Sequence, residues 1–169
     1  MHTIQVELLS SESFSEFGTV IAVPNSEPTK QGDGWRCWNY ISMMSVDTDI
    51  GLGIVETSTR PYEIESMERH DQREEMLLAV EGNIIQPVAT YETLVDGNEK
   101  PKIDRVRCFL IKKGQGIILR KGIWHSPAFP VKGDTNYLFA IEKKPDMHHD
   151  EIASPWITFE NNSKVKFKV

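Results

Sequence analysis

Residues Glu68 to Gly82 read ERHDQREEMLLAVEG, and residues Gly114 to Phe129 read GQGIILRKGIWHSPAF. On an extended strand alternate side chains share a face, so Glu68 and His70 project together while Arg69 points away. Glu75 follows across the polar step DQRE, which bends the chain and returns the carboxylate to the same cavity. His125 comes from the turn after Gly122. Two imidazoles and one or two carboxylates converging inside a barrel offer nitrogen and oxygen ligands to iron, manganese, zinc or nickel, and the set does not choose among them. Taken singly, His70 reads as surface decoration and His125, held in Trp124-His125-Ser126-Pro127, reads equally well as a structural imidazole. Their joint spacing is what singles them out.

Around these stretches the chain is a series of short apolar runs separated by turn residues. Thr3 to Leu8 reads as a strand, and SSESFSEFG after it as one or two helical turns stopped by Gly18 in a left-handed exit. Thr19 to Val23 is the next strand, and Asn25 to Gly34 an exposed loop. The runs 36–42, 51–57, 61–67, 76–80, 84–90, 106–111, 117–119 and 135–142 are β-branched or aromatic and bounded by Gly, Pro, Asn or Asp. Helical periodicity is scarce, so an all-β antiparallel sandwich or barrel is expected. Glu81-Gly82-Asn83 reads as a hairpin turn, and Asp96-Gly97-Asn98 as part of a longer polar loop. MLLAV, apolar at every position, should be a central strand covered on both faces. Pro87 should interrupt, bulge or edge its strand, because proline cannot donate to a ladder. KVKFKV at the C-terminus should be an amphipathic strand with its lysines on an exposed edge.

A chain of 169 residues suits one domain, with a core over about 36–145, an N-terminal extension over 1–23 and C-terminal strands over 156–169. The formal charge of -6 argues against a nucleic acid or an anionic membrane as partner and for a small molecule. No apolar run approaches the roughly 20 residues of a spanning helix, and the N-terminus lacks a basic region followed by an apolar one, so a cytoplasmic location is expected. Cys37 and Cys108 read as reduced thiols. His148 and His149, in DMHHDE, read as solvated residues of a charged linker.

The two quoted stretches resemble the paired motifs of the cupin superfamily. His70, Glu75 and Gly82 match the end of the first motif, with Glu68 where its first histidine stands. Gly114, Gly122 and His125 match the second, with Arg120 where proline is usual and Phe129 where asparagine is usual. Over nearly the whole chain, LLSSESFSEFGTVI, MERH, KPKIDRVRCFLIKKGQGI and GIWHSPAF resemble the ureidoglycolate lyase family of small cupins. Glu75 stands where that family often has Gln, and Ser126 where a second His often follows.

The resemblance implies a cupin-type double-stranded jelly-roll barrel with one short N-terminal helix, and a homodimer. It implies cleavage of ureidoglycolate to glyoxylate and urea, in allantoin and purine breakdown, by a carbon–nitrogen lyase of the amidine-lyase type. His70, Glu75 and His125 are the expected ligands of one divalent metal ion or contacts of the substrate, with Glu68 as fourth ligand or base. Glu68, His70 and His125 are the expected catalytic groups, and no organic cofactor is implied. Arg36 is matched to the substrate carboxylate, which a guanidinium binds with two parallel hydrogen bonds, and Trp124 to a wall of the pocket. Three alternatives stay open: a metal-free version in which the imidazoles act as acid and base, a non-catalytic binding cupin, and a metal-dependent isomerase or dioxygenase acting on another small acid or sugar.

Overall fold

The computed structural model describes residues 2–93, 99–143 and 156–169. In chain order its strands are β1 (His2–Leu8), β2 (Gly18–Ile21), β3 (Lys30–Gly32), β4 (Trp35–Cys37), β5 (Ile50–Thr57), β6 (Glu63–Ile64) and β7 (Ser66–Met67). There follow β8 (Glu75–Ala79), β9 (Ile84–Ala89), β10 (Tyr91–Thr93), β11 (Glu99–Pro101), β12 (Arg107–Ile111) and β13 (Gly116–Leu119). The chain closes with β14 (Trp124–His125), β15 (Phe129–Pro130), β16 (Thr135–Glu142), β17 (Ile157–Thr158) and β18 (Val165–Lys168). One sheet runs β14-β9-β12-β1-β18-β6, with β15 also on β9, and a second runs β2-β13-β8-β16-β5. The inner faces of both supply Leu77, Ala79, Ile84, Val88, Phe109 and Ile117 to one core, the two-sheet arrangement expected of a jelly roll.

Phe14 and Phe17 plug one end of that core, Phe14 meeting Phe109 edge-on at 5.1 Å between ring centroids. Their segment forms hydrogen-bonded turns, with Phe14 N–H donating to Ser10 O and Gly18 N–H to Phe14 O, and not a regular helix. Gly18 is needed for closeness, not for the left-handed exit: a Cβ there would lie 1.8 Å from the Ile118 carbonyl oxygen.

The Glu81-Gly82-Asn83 turn does not make a hairpin. It joins β8 to β9, which belong to different sheets, and β8 pairs instead with β13 and β16. Apolar runs on either side of a turn serve a crossover between two facing sheets as well as a hairpin within one. MLLAV is central, as expected, but Met76 and Leu78 are only half-buried and Val80 is exposed. The strand covered on both faces is β9, where Ile84 and Val88 enter the main core while Ile85 and Ala89 enter a second cluster with Trp124, Phe129 and Phe167. β18 is not an edge: it lies between β1, to which it runs parallel, and β6, and buries Val165 and Phe167.

Pro87 interrupts its neighbour rather than its own strand. β9 runs on through it, paired to Cys108 on one side, but on the other side β14 pairs up to Val88 and β15 resumes only at Ile85. A residue without an N–H leaves its partner strand nothing to accept there. Residues 126–128 leave the ladder at that gap, and the Gln86 side chain fills it by donating to Ser126 O at 2.7 Å. Cys37 and Cys108 are free thiols. No helix among the described residues is long and apolar enough to cross a membrane. His148, His149 and the Asp96-Gly97-Asn98 turn lie outside the described residues.

Candidate active site

Two backbone contacts clip the quoted stretches together. Glu68 N–H donates to His125 O and His125 N–H to Glu68 O, both at 2.8 Å, and Gly122 N–H donates to His70 O at 2.9 Å. Gly122 sits at φ 79°, a left-handed turn that favours glycine and brings the chain back alongside His70. Glu68, His70 and His125 therefore open on one cavity, and Glu75 reaches it from β8 in the opposite sheet. Arg69 points away, as alternation requires, and stacks on Trp124 with its guanidinium 4.9 Å from the ring centroid.

Glu75 is the hub. Its Oε2 lies 3.1 Å from His70 Nε2 and 3.2 Å from His125 Nε2. His125 Nδ1 stands 3.0 Å from the Ile123 carbonyl oxygen, which can only accept, so Nδ1 carries a hydrogen and Nε2 is the nitrogen offered to the cavity. An outer hydrogen bond of this kind fixes the tautomer and ring angle of a ligating imidazole. The ligand atoms of His70, Glu75 and His125 all lie within 4.8 Å of one another. Metal–ligand bonds of about 2.1 Å hold donor atoms roughly 3 to 4 Å apart. The set therefore fits a divalent first-row ion with two nitrogens and one oxygen.

Burial works to raise the Glu75 carboxyl, but the hydrogen bonds and charge of His125 and His70 together hold it well below the usual carboxylate range. Burial likewise opposes charge on His125, and contact with Glu75 overrides it and raises that imidazole. Glu68 moves the other way: burial dominates and raises its carboxyl. Two carboxylates in one cavity are thus pushed apart, one firmly ionised and one drawn toward neutrality, the separation expected between a ligand and a proton acceptor.

The cavity has a volume of about 210 Å³ and is walled by Val55, Leu77, Pro127, Tyr137, Phe139 and Ile141. Of the expected site residues, Glu68, His70, Glu75 and His125 meet there and two do not. Trp124 is buried on the opposite side of β14 from His125, in the second apolar cluster, because neighbouring strand residues face opposite ways. Arg36 lies exposed on the β3–β4 hairpin against Trp38, 5.2 Å from its ring centroid, and does not line the cavity. The expected strand 36–42 is reduced to that short hairpin arm, Trp35–Cys37. Ser126, singled out by the resemblance as a departure from the family pattern, lines the cavity, whereas Tyr137, Phe139 and Ile141 were not anticipated. The last three alternate along TNYLFAIE, so their shared face was readable, though not what it faced.

The family model for ureidoglycolate lyase matches residues 1–159. A ureidoglycolate lyase of Burkholderia cepacia is 26% identical over 156 residues, covering 88% of this chain and 85% of the relative. One of Escherichia coli (strain K12 / DH10B) is 24% identical over 140 residues, covering 80% of this chain and 84% of the relative. Solved structures match distantly: RmlC from Streptococcus suis in complex with dTDP-D-xylose aligns over 69% of this chain and 61% of that one, at 8% identity and a TM-score of 0.39. The matched model spans both histidine-bearing stretches and nearly all of the barrel, and the chain belongs to the ureidoglycolate lyase family.

Proposed function

We propose that this protein is a lyase that splits ureidoglycolate into glyoxylate and urea in the cavity bounded by Glu68, His70, Glu75 and His125. The observation that carries the reading is Glu75 Oε2 shared by two imidazoles inside a cavity of a chain that belongs to this family. The reaction breaks a carbon–nitrogen bond without water or redox change, which makes the enzyme a carbon–nitrogen lyase of the amidine-lyase type. Allantoin breakdown is the setting in which this substrate arises.

His70, Glu75 and His125 would hold one divalent ion, which supplies Lewis-acid polarisation of the substrate's oxygens when bound. Glu68 is the base. Its carboxyl, raised by burial, has a proton affinity suited to drawing the proton from the carbinol hydroxyl. The backbone clip between Glu68 and His125 holds that carboxylate beside the two imidazoles, so the substrate meets base and ligand set together. The apolar walls of Val55, Leu77 and Phe139 lower the local dielectric, which strengthens each polar contact beside them.

We also infer a homodimer and a cytoplasmic location. Leu52 and Ile54 on the outer face of β5 are 73% and 68% exposed beside half-buried Leu138 and Leu78, an apolar row that two-fold pairing of copies would cover. The free thiols suit a reducing compartment. Light scattering of the eluting protein gives the mass of the assembly.

The test of the activity is glyoxylate release from racemic ureidoglycolate, by protein stripped of metal and then given single divalent ions. Release restored by one ion is the expected result. Release without any ion would keep the lyase and make His70, Glu75 and His125 acid, base and substrate contacts. No release under any condition would sink the lyase reading.

A further inference from the structure

Splitting ureidoglycolate needs a proton at the leaving nitrogen, and the four residues so far placed do not provide one: as ligands, His70, Glu75 and His125 offer lone pairs and not protons, and Glu68 is the acceptor. We propose that Tyr137 is the acid of this site, giving its hydroxyl proton to the departing ureido nitrogen, and that Arg60 is a positioning residue acting on it from outside the cavity through the Pro127–Ala128 peptide. The inference rests on the lyase reading above.

Tyr137 projects from the inner face of β16, is 3% exposed and lines the cavity with Glu68 and Glu75. Its oxygen accepts a hydrogen bond from Ala128 N–H at 3.3 Å, while its own O–H meets no acceptor among the described residues. Buried hydroxyls donate wherever they can, so a donor left over in a cavity wall marks a place for a ligand atom. Burial also pushes this phenol up to about 12, so it keeps its proton through the neutral range and acts as donor, not base.

The other side of the same peptide is gripped by a cation. Arg60 Nη2 donates to Pro127 O and to Ala128 O, both at 3.0 Å, and Nη1 donates to Thr57 Oγ1 at 2.6 Å. Thr57 in turn donates to Ala128 O at 2.8 Å, and the guanidinium lies 3.7 Å from the centroid of the Phe129 ring. Pro127 O and Ala128 N–H belong to one amide. A guanidinium on the carbonyl withdraws electrons from the N–H, which then draws them from the phenol oxygen and eases release of its proton. Residues 126–128 stand clear of the sheet for this contact because Pro87 breaks the ladder beside them. Ser126 Oγ, the second hydroxyl lining the cavity, has no partner among the described residues and suits a hydrogen bond to substrate.

The step balances. Glu68 takes the carbinol proton, the freed oxygen pair forms the aldehyde C=O, the C–N bonding pair leaves with nitrogen, and Tyr137 protonates that nitrogen. After glyoxylate and urea depart, the proton on Glu68 returns to the Tyr137 phenolate by way of water. One turnover moves one proton from oxygen to nitrogen.

The test uses the full chain. Tyr137→Phe should lower kcat for glyoxylate release roughly 100-fold or more, with KM changed less than about threefold, because the loss falls on the transition state and not on uniform binding. Arg60→Gln should lower kcat by about tenfold with KM again little changed, the smaller effect of a group that acts through another. A second readout does not need turnover: 3-fluorotyrosine placed at position 137 should shift its fluorine resonance when ureidoacetate, the substrate without its hydroxyl, is added. Tyr137→Phe with wild-type kcat would overturn the inference and leave the lyase standing. An unshifted resonance at saturating ureidoacetate would overturn the contact on which it rests. Wild-type protein that releases no glyoxylate would overturn the lyase reading, and the acid step with it.

Discussion

On β8, Glu75 and Ala79 share one face, four residues apart, and their surroundings differ completely. Ala79 belongs to an apolar cluster with Phe14, Phe17, Phe109, Ile117 and Ile84, all buried, the three phenyl rings packed on one another. Around Glu75 the interior is a cavity walled by two imidazoles, a second carboxylate and a phenol. The packed end needs nothing but shape and burial, whereas the open end gathers charges whose desolvation opposes folding. The dry half thus holds β8, β13 and β16 in register so that the wet half can keep Glu75 ionised beside His70 and His125.

Damage to the packed end should appear as lost stability, and damage to the open end as lost turnover. Phe109→Ala should have the largest effect on folding, about 3 to 5 kcal/mol. Thermal or urea unfolding measures it, and a loss below about 1 kcal/mol would mean that the aromatic plug does not organise the barrel. Gly18→Ala comes next. Its Cβ has no room against the Ile118 carbonyl, so β2 must part from β13, at roughly 1 to 3 kcal/mol in the same assay.

The Glu7–Arg107 pair, half-exposed on β1 and β12, should contribute less than about 1 kcal/mol because solvent screens it. The side-chain hydrogen bond from Arg107 lowers the Glu7 carboxyl, so the contribution is present near neutrality and is lost as pH falls through the folded-state value. Glu7→Gln should therefore narrow its stability gap to the wild type as the solution is acidified; a gap that widens contradicts the sign. Arg36→Ala should change kcat and KM least, within about twofold by the ordinary behaviour of an exposed residue remote from the chemistry. A large rise in KM would show that the β3–β4 hairpin reaches an active site after all, that of a partner copy included.

This division also governs how far the sequence could be read. His70, Glu75 and His125 were legible because their spacing repeats a two-motif pattern, and Arg69 because alternation on a strand is strict. Pro87 announced a break, but not that the break would fall in the neighbouring ladder and release residues 126–128 toward the cavity. The Glu81–Asn83 turn misled because apolar runs flank crossovers and hairpins alike. Trp124 shows the limit of adjacency: one residue from His125, it faces another core. Tyr137 sits in a plain strand pattern, and its worth depends on Ala128, Pro127 and Arg60, contacts between segments far apart in sequence that no local pattern encodes.

The most direct test of the account is kcat for glyoxylate release by Glu75→Gln, measured beside its unfolding free energy. The substitution keeps the shape of the side chain and removes the charge that both imidazoles share. Turnover should fall roughly 100-fold or more in a protein that still folds, as a cooperative unfolding transition shows. Turnover near the wild-type value would contradict it, since the cavity's chemistry could then not depend on the carboxylate at its centre.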